Sequence, residues 1–156
     1  MNKAIDREDP CAVICMGQAG RRNCISLERR AVNLCDTSSP DNEGNCPEKT
    51  PVIRNGRNVL HAALPIDDMA ERLRNSGIPV ELSDSAGTYV CNSLMYGMLY
   101  HLEKTNRRIP AGFIHVPYFR EQTENKPRGT PFMELEEMVK GIQLCLECLN
   151  EQKSTE

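Results

Sequence analysis

The chain has 156 residues, a one-domain length, and its apolar share of 39% is below the roughly 45–50% of ordinary globular proteins, so its core must be economical. Nineteen basic residues against 22 acidic ones give a net charge of -3, which argues against a nucleic-acid or anionic-membrane surface as the main business of the chain. No apolar run approaches the roughly 20 residues of a membrane helix, and the opening MNKAIDREDP lacks the apolar centre of a signal peptide, so a soluble cytoplasmic protein is expected.

In chain order, Ala12-Val13-Ile14-Cys15-Met16 is a short continuous apolar run ended by Gly17, the pattern of a strand buried on both faces. Ile25 to Leu34 reads as a second, more polar extended stretch interrupted by Glu28-Arg29-Arg30. Thr37 to Thr50 is turn chemistry throughout and predicts a loop. Ile66, Met69, Ala70 and Leu73 recur at helical spacing, with Asp67 and Asp68 in the first turn and Gly77 as the stop. Ile78 to Leu82 then predicts a strand. Cys91, Leu94, Met95, Met98, Leu99 and Leu102 trace one helix face. Gly112-Phe113-Ile114-His115-Val116 is another apolar strand, closed by Pro117. Leu135, Met138, Val139, Ile142, Leu146 and Leu149 mark a long C-terminal helix, and the tail over 151–156 is polar. Strands alternating with helices of this length point to βαβ units, a parallel sheet and a single domain over 1–156.

Eight cysteines in a chain of this size do not make a disulfide scaffold. Cys145-x-x-Cys148 and Cys11-x3-Cys15 lack a second pair at zinc spacing, so reduced and mostly buried thiols are expected, and no metal. A thiol-rich metal or redox protein using Cys145 and Cys148 is the weakest of the readings.

Ligand crevices in open parallel sheets lie beyond the carboxyl ends of the strands. Gln18-Ala19-Gly20, the segment Ser83 to Val90 and His115 meet that condition. Ser83 to Cys91 reads as a strand exit, a small-residue turn and a helix start near Cys91, where aligned backbone N–H groups favour a thiolate. A histidine at a neighbouring strand end could serve it as base, with a carboxylate to orient the ring. The same residues also fit quieter roles: Cys91 as a small core residue, His115 as a satisfied core histidine, and Glu28 as a salt-bridged surface residue. His61 and His101 have no evident partner.

The runs MGQAGRR (Met16–Arg22), SLERRAVN (Ser26–Asn33), SPDNEGN (Ser39–Asn45), SAGTYVCNSLMYGMLY (Ser85–Tyr100) and GFIHVPY (Gly112–Tyr118) resemble pyroglutamyl peptidase I in order and spacing, from about Asp9 to Asn150. The resemblance implies a three-layer α/β/α sandwich with a largely parallel central sheet. It implies a cytosolic cysteine peptidase that removes the N-terminal pyroglutamyl residue from peptides, assembled as a homotetramer or dimer, with no metal or organic cofactor and no nucleic-acid or membrane partner. By position it puts the nucleophile on Cys91, the base and later acid on His115, and the orienting carboxylate on Glu28. Gln18 falls in the segment that helps hold the lactam ring, and Tyr89 and Val90 fall where the ring's pocket is lined.

The chain departs from that family in three places. Its front is shorter, so an N-terminally truncated sandwich is expected, without the first strand, the first helix and the loop that supplies aromatic walls for the ring. Such a chain would carry an open strand position and an uncovered core face. Ser38 stands where the family has an arginine beside the active site. Arg30 replaces an apolar strand residue, and Phe119-Arg120 replaces Leu-Pro. These departures keep a second reading open: a noncatalytic or decaying homologue of the same fold, acting if at all as a binding or assembly subunit.

Overall fold

The computed structural model describes residues 1–153. Six strands and four α-helices follow in the order α1 (Asn2–Glu8), β1 (Val13–Gln18), β2 (Ile25–Glu28), β3 (Arg30–Val32), β4 (Val59–His61), α2 (Ile66–Asn75), β5 (Val80–Ser83), α3 (Val90–Lys104), β6 (Ala111–Val116) and α4 (Leu135–Lys153). A 3-10 turn at Arg120–Thr123 lies between β6 and α4. The part of the expected polar tail beyond residue 153 lies outside the described residues.

The main sheet runs β1-β6-β2-β5, and β3 and β4 form a separate antiparallel pair. β1 lies parallel to β6, and β2 parallel to β5, so most of the sheet is parallel as expected. The central pairing of β2 with β6 is antiparallel. The connection from β1 to β2 spans only residues 19–24, and a parallel crossover needs roughly a dozen residues or more, so β2 has to return in the opposite direction.

Helices cover both faces, which makes the α/β/α sandwich. On one face Ile25, Leu27 and Ile114 pack against Met69, Ala70 and Leu73 of α2 and Met138, Cys145, Cys148 and Leu149 of α4. On the other, Phe113 and Ala111 pack against Met95, Tyr96, Met98, Leu99 and Leu102 of α3, with Ile5, Ala31 and Leu60 around them. Successive strand residues point to opposite faces. Ile25 and Leu27 therefore enter the α2/α4 core, while Ser26 and Glu28 face α3 together with Phe113 and His115.

Several expectations change. The polar opening forms a helix, α1, with Ile5 buried and Asp9 closing it at φ 46°. The extended stretch from Ile25 splits at Arg29 into strands of two different sheets. The stripe predicted for α4 is only half correct: Met138 and Leu149 are buried, but Leu135, Val139 and Leu146 are each about half exposed (50%, 49% and 47%). The apolar positions of α4 span more than one face, and the face the core takes runs through Met138, Cys145, Cys148 and Leu149. The rejected face, with Ile142, borders a groove beside Met16 and Gln18 on β1, a strand at the edge of the sheet. On α3, Leu94 is likewise exposed, because Asn92 and Tyr96 take its place toward the core. His101 does have a partner: its Nε2 lies 2.8 Å from Asp6 Oδ1 on α1.

The thiols are not mostly buried. Only Cys145 and Cys148 are core residues, and Cys11 and Cys46 are exposed. Burial pushes the Cys145 thiol up to about 12, as suits a packing residue. Among the described residues no helix is long and apolar enough to cross a membrane.

Candidate active site

The α3 face of the sheet gathers polar side chains that would be out of place in a core. Ser26 stands opposite His115 across the antiparallel pair, and Glu28 stands opposite Phe113, so Glu28 is the diagonal neighbour of His115. The Glu28 side chain is 0% exposed, which corrects the surface-residue reading. Its Oε1 accepts a 2.7 Å hydrogen bond from His115 Nδ1. That bond fixes the ring's tautomer and leaves Nε2 as the nitrogen available for proton transfer. The ring of His115 also tilts against Phe113, with centroids 4.7 Å apart.

Cys91 is the second residue of α3 and is partly buried. The first α-helical bond there runs from Ser93 N–H to Tyr89 O at 3.0 Å, so the N–H of Cys91 precedes the helical ladder. The turn leading in is shaped by Gly87, whose φ of +82° suits glycine, and by the Ser83 and Ser85 hydroxyls, which accept bonds from backbone N–H groups two residues on. Thr88 ties this turn to the long loop, its hydroxyl donating to Asp36 O at 2.6 Å. Gly17 of β1, in register with His115, lies under the nucleophile candidate. A Cβ there would come within 3.0 Å of Cys91 Sγ and 2.9 Å of the Phe113 ring.

The electrostatics are those of a coupled acid–base group. Burial pushes the His115 imidazole down, but its neighbours Cys91 and Glu28 outweigh burial and leave its pKa raised. For Glu28 burial acts upward, yet the bond from His115, the nearby Ser83 hydroxyl, and the bond and charge of Arg22 hold the carboxyl below its usual range. Beside them a cleft of about 420 Å³ is bordered by Gly20, Arg22, Ser85, Gly87, His115 and Tyr118.

The pyroglutamyl peptidase family profile matches residues 1–152. The pyrrolidone-carboxylate peptidase of Thermosipho africanus is 45% identical over 142 residues, covering 91% of this chain and 69% of that protein. The chain belongs to the pyroglutamyl peptidase family. The enzyme of the same name from Bacillus mycoides is 42% identical over 151 residues, 97% of this chain and 70% of its own. Among solved structures, pyroglutamyl peptidase I of Bacillus amyloliquefaciens superposes with a TM-score of 0.90 at 37% identity, over 94% of this chain and 69% of that one. Pyrrolidone carboxyl peptidase from Thermococcus litoralis superposes at 0.93 with 34% identity, over 98% and 71%. The chain thus spans about 70% of the length of such relatives.

The positions that the resemblance marked do not all gather in one place. Cys91, His115 and Glu28 come together. Tyr89 and Val90 sit beside Cys91, partly exposed, on the wall of a second cleft shared with Cys35 and Asn45, and the Tyr89 hydroxyl donates to Pro40 O at 2.6 Å. Gln18 points away from the His115 cleft into the groove beside α4, its amide donating to Gln122 Oε1 at 2.5 Å. Ser38 is exposed on the long loop. Two residues of the site were not singled out from the sequence. Arg22 binds Glu28, and buried Asn92 bonds the backbone of β3 and the residues after it. The alternation in Ile25-Ser26-Leu27-Glu28 carried a signal, since it places Glu28 on the opposite face from the apolar pair.

Proposed function

We propose that the chain is a cysteine-type omega peptidase that hydrolyses the N-terminal pyroglutamyl residue from peptides, with Cys91 as nucleophile, His115 as base and acid, and Glu28 as orienting carboxylate. The observation that carries this reading is the buried His115–Glu28 pair at 2.7 Å, together with the influence of Cys91 on the same ring. A fully buried carboxylate held on one imidazole nitrogen is costly as a mere structural device and useful for keeping the other nitrogen poised.

In this reaction His115 Nε2 takes the thiol proton, and the Cys91 thiolate attacks the pyroglutamyl carbonyl carbon. The oxyanion that forms lies within the field of the α3 N-terminus, where the Cys91 N–H is free to donate. Collapse breaks the C–N bond while His115 protonates the departing amine. A water molecule, deprotonated by His115, then hydrolyses the thioester and returns the thiol. Tyr89 and Val90 offer apolar surface for the lactam ring, and the turn that Gln18 opens, whose Ala19 and Gly20 border the His115 cleft, is the segment that would help hold it. The reading brings with it a cytoplasmic protein that works as a homo-oligomer.

Release of a fluorescent amine from a pyroglutamyl amide by purified protein, beside Cys91→Ser, tests the proposal. Turnover lost in the variant with an unchanged circular-dichroism melt is the expected result. A folded wild type that releases no amine would refute it and favour the noncatalytic homologue, with Ser38 the first position to restore to arginine. Limiting iodoacetamide should modify Cys91 before the other seven thiols, exposed Cys11 and Cys46 included, and uniform labelling of all eight would count against an activated thiol.

A further inference from the structure

Arg22 leaves the β1–β2 connection and reaches the buried end of Glu28. Its Nη1 donates to Glu28 Oε1 at 2.7 Å, the same oxygen that His115 Nδ1 bonds. Its Nη2 reaches Ser83 Oγ at 3.3 Å and Ser85 O at 3.1 Å, in the turn that leads to Cys91. The other carboxylate oxygen, Oε2, is buried and has no hydrogen-bond partner among the described residues. One guanidinium therefore spans the orienting carboxylate and the segment that delivers the nucleophile.

We propose that Arg22 is a positioning residue for the reaction, keeping Glu28 ionised toward His115 while tying the Ser83–Ser85 turn to the same fork. The proposal rests on the reading of Cys91, His115 and Glu28 as the reacting group. The physical need follows from the cycle itself. His115 gains and loses a proton in each turnover, so its charge cannot support the buried Glu28 carboxylate throughout. Arginine does not titrate in the working range and supplies a constant positive charge. Its planar fork also makes two directed contacts at once, which an ammonium on a flexible stem does not. The charged and titratable groups around Glu28 are His115 from β6, Glu81 from β5 (its Oε1 3.5 Å from Arg22), Cys91 from α3, and Arg22 with nearby Cys24 from the β1–β2 connection. Arg22 is the fixed cation of that set.

Without Arg22, Glu28 should hold its proton to higher pH, because the arginine's bond and charge are among the influences that keep the carboxyl low. The test compares Arg22→Gln, Arg22→Lys and Glu28→Gln with wild type in pH profiles of kcat/KM on a pyroglutamyl amide. The same pH series of Cys91 alkylation by iodoacetamide is read by mass. Arg22→Gln should move the acid limb of both profiles upward by at least about one unit, with about tenfold lower activity below the limb for each unit moved. Arg22→Lys should restore the limb's position while kcat stays below wild type. Adding Arg22→Gln to Glu28→Gln should cost little more than Glu28→Gln alone, because the two act through one interaction. An acid limb unmoved to within about half a unit in Arg22→Gln, or losses that multiply in the double variant, would overturn the proposal. A wild type that alkylates at Cys91 but turns over no substrate would sink the peptidase reading, and the alkylation profiles would still decide the role of Arg22.

Discussion

Replacing Asn92 by alanine should weaken both the fold and the site, because this residue anchors α3 directly behind Cys91. Asn92 is fully buried. Its Oδ1 accepts from Val32 N–H at 2.9 Å, and its Nδ2 donates to Val32 O at 2.9 Å and Leu34 O at 3.0 Å. The alanine variant would leave three backbone groups without these bonds. At about 1 kcal/mol for each bond, with a further contribution from the cavity, the loss is about 3–5 kcal/mol. For a chain of this size that corresponds to a Tm lower by about 6–20 °C. Thermal and urea unfolding would measure the stability, and amine release per folded molecule would report on placement of the thiol. Asn92→Leu separates bonding from packing, since it fills the space but satisfies none of the three groups. Ser93→Ala, whose hydroxyl bonds Tyr89 O in its own helix, should cost less than about 1 kcal/mol. A loss below about 1 kcal/mol in Asn92→Ala, or Asn92→Leu equal to wild type, would refute the reasoning.

Gly17→Ala should cost about 1–3 kcal/mol and lower kcat/KM by about 10–100-fold, since the added Cβ meets Cys91 Sγ at 3.0 Å and the Phe113 ring at 2.9 Å; wild-type kinetics in a folded variant would show that the thiol is not seated there. The His115–Glu28 pair should make stability fall as pH rises from 6 toward 8. The raised His115 pKa stabilises the fold fully below the unfolded value of about 6.5, and that contribution is lost as pH climbs through the folded value. The lowered Glu28 pKa contributes above its unfolded value of about 4.3 and is lost only in acid, as pH falls through the folded value. Urea midpoints at pH 6, 7 and 8 should show the alkaline fall in wild type and its absence in His115→Gln; an identical slope in both would remove the pair from the account. On α4, Met138→Ala should cost about 2–5 kcal/mol, whereas Val139→Ala on the exposed face should change stability by less than about 1 kcal/mol, and equal losses would contradict the packing of that helix.

Much of the fold could be read directly along the chain. Helices α2 and α3 announce themselves by apolar spacing, with Gly77 closing the first and the Ser85–Gly87 turn opening the second. Strands β1 and β6 stand out as apolar runs. These features depend on neighbours a few residues apart, which the sequence displays. The short β4 and the split at Arg29 are harder to see, because strands of three or four residues carry too few alternations to form a period. Residue types in recognisable order suggested Cys91, His115 and Glu28 as a chemical group. Whether they meet depended on strand direction and register, which no local pattern encodes.

The sequence by itself determined that the chain has the thiol, the imidazole and the carboxylate, the family's motifs, and helices of the right length to cover a sheet. Tertiary structure decided the rest. It ran β2 against β6, set Glu28 diagonally beside His115, buried the carboxylate with Arg22 on its oxygen, and turned Gln18 toward α4. It also chose which apolar face of α4 to bury and left the other half exposed. The physical reason is the same in each case. Strand partners, helix faces and the charge state of a buried carboxylate are set by groups distant in sequence, and only packing brings those groups within a few ångströms of one another.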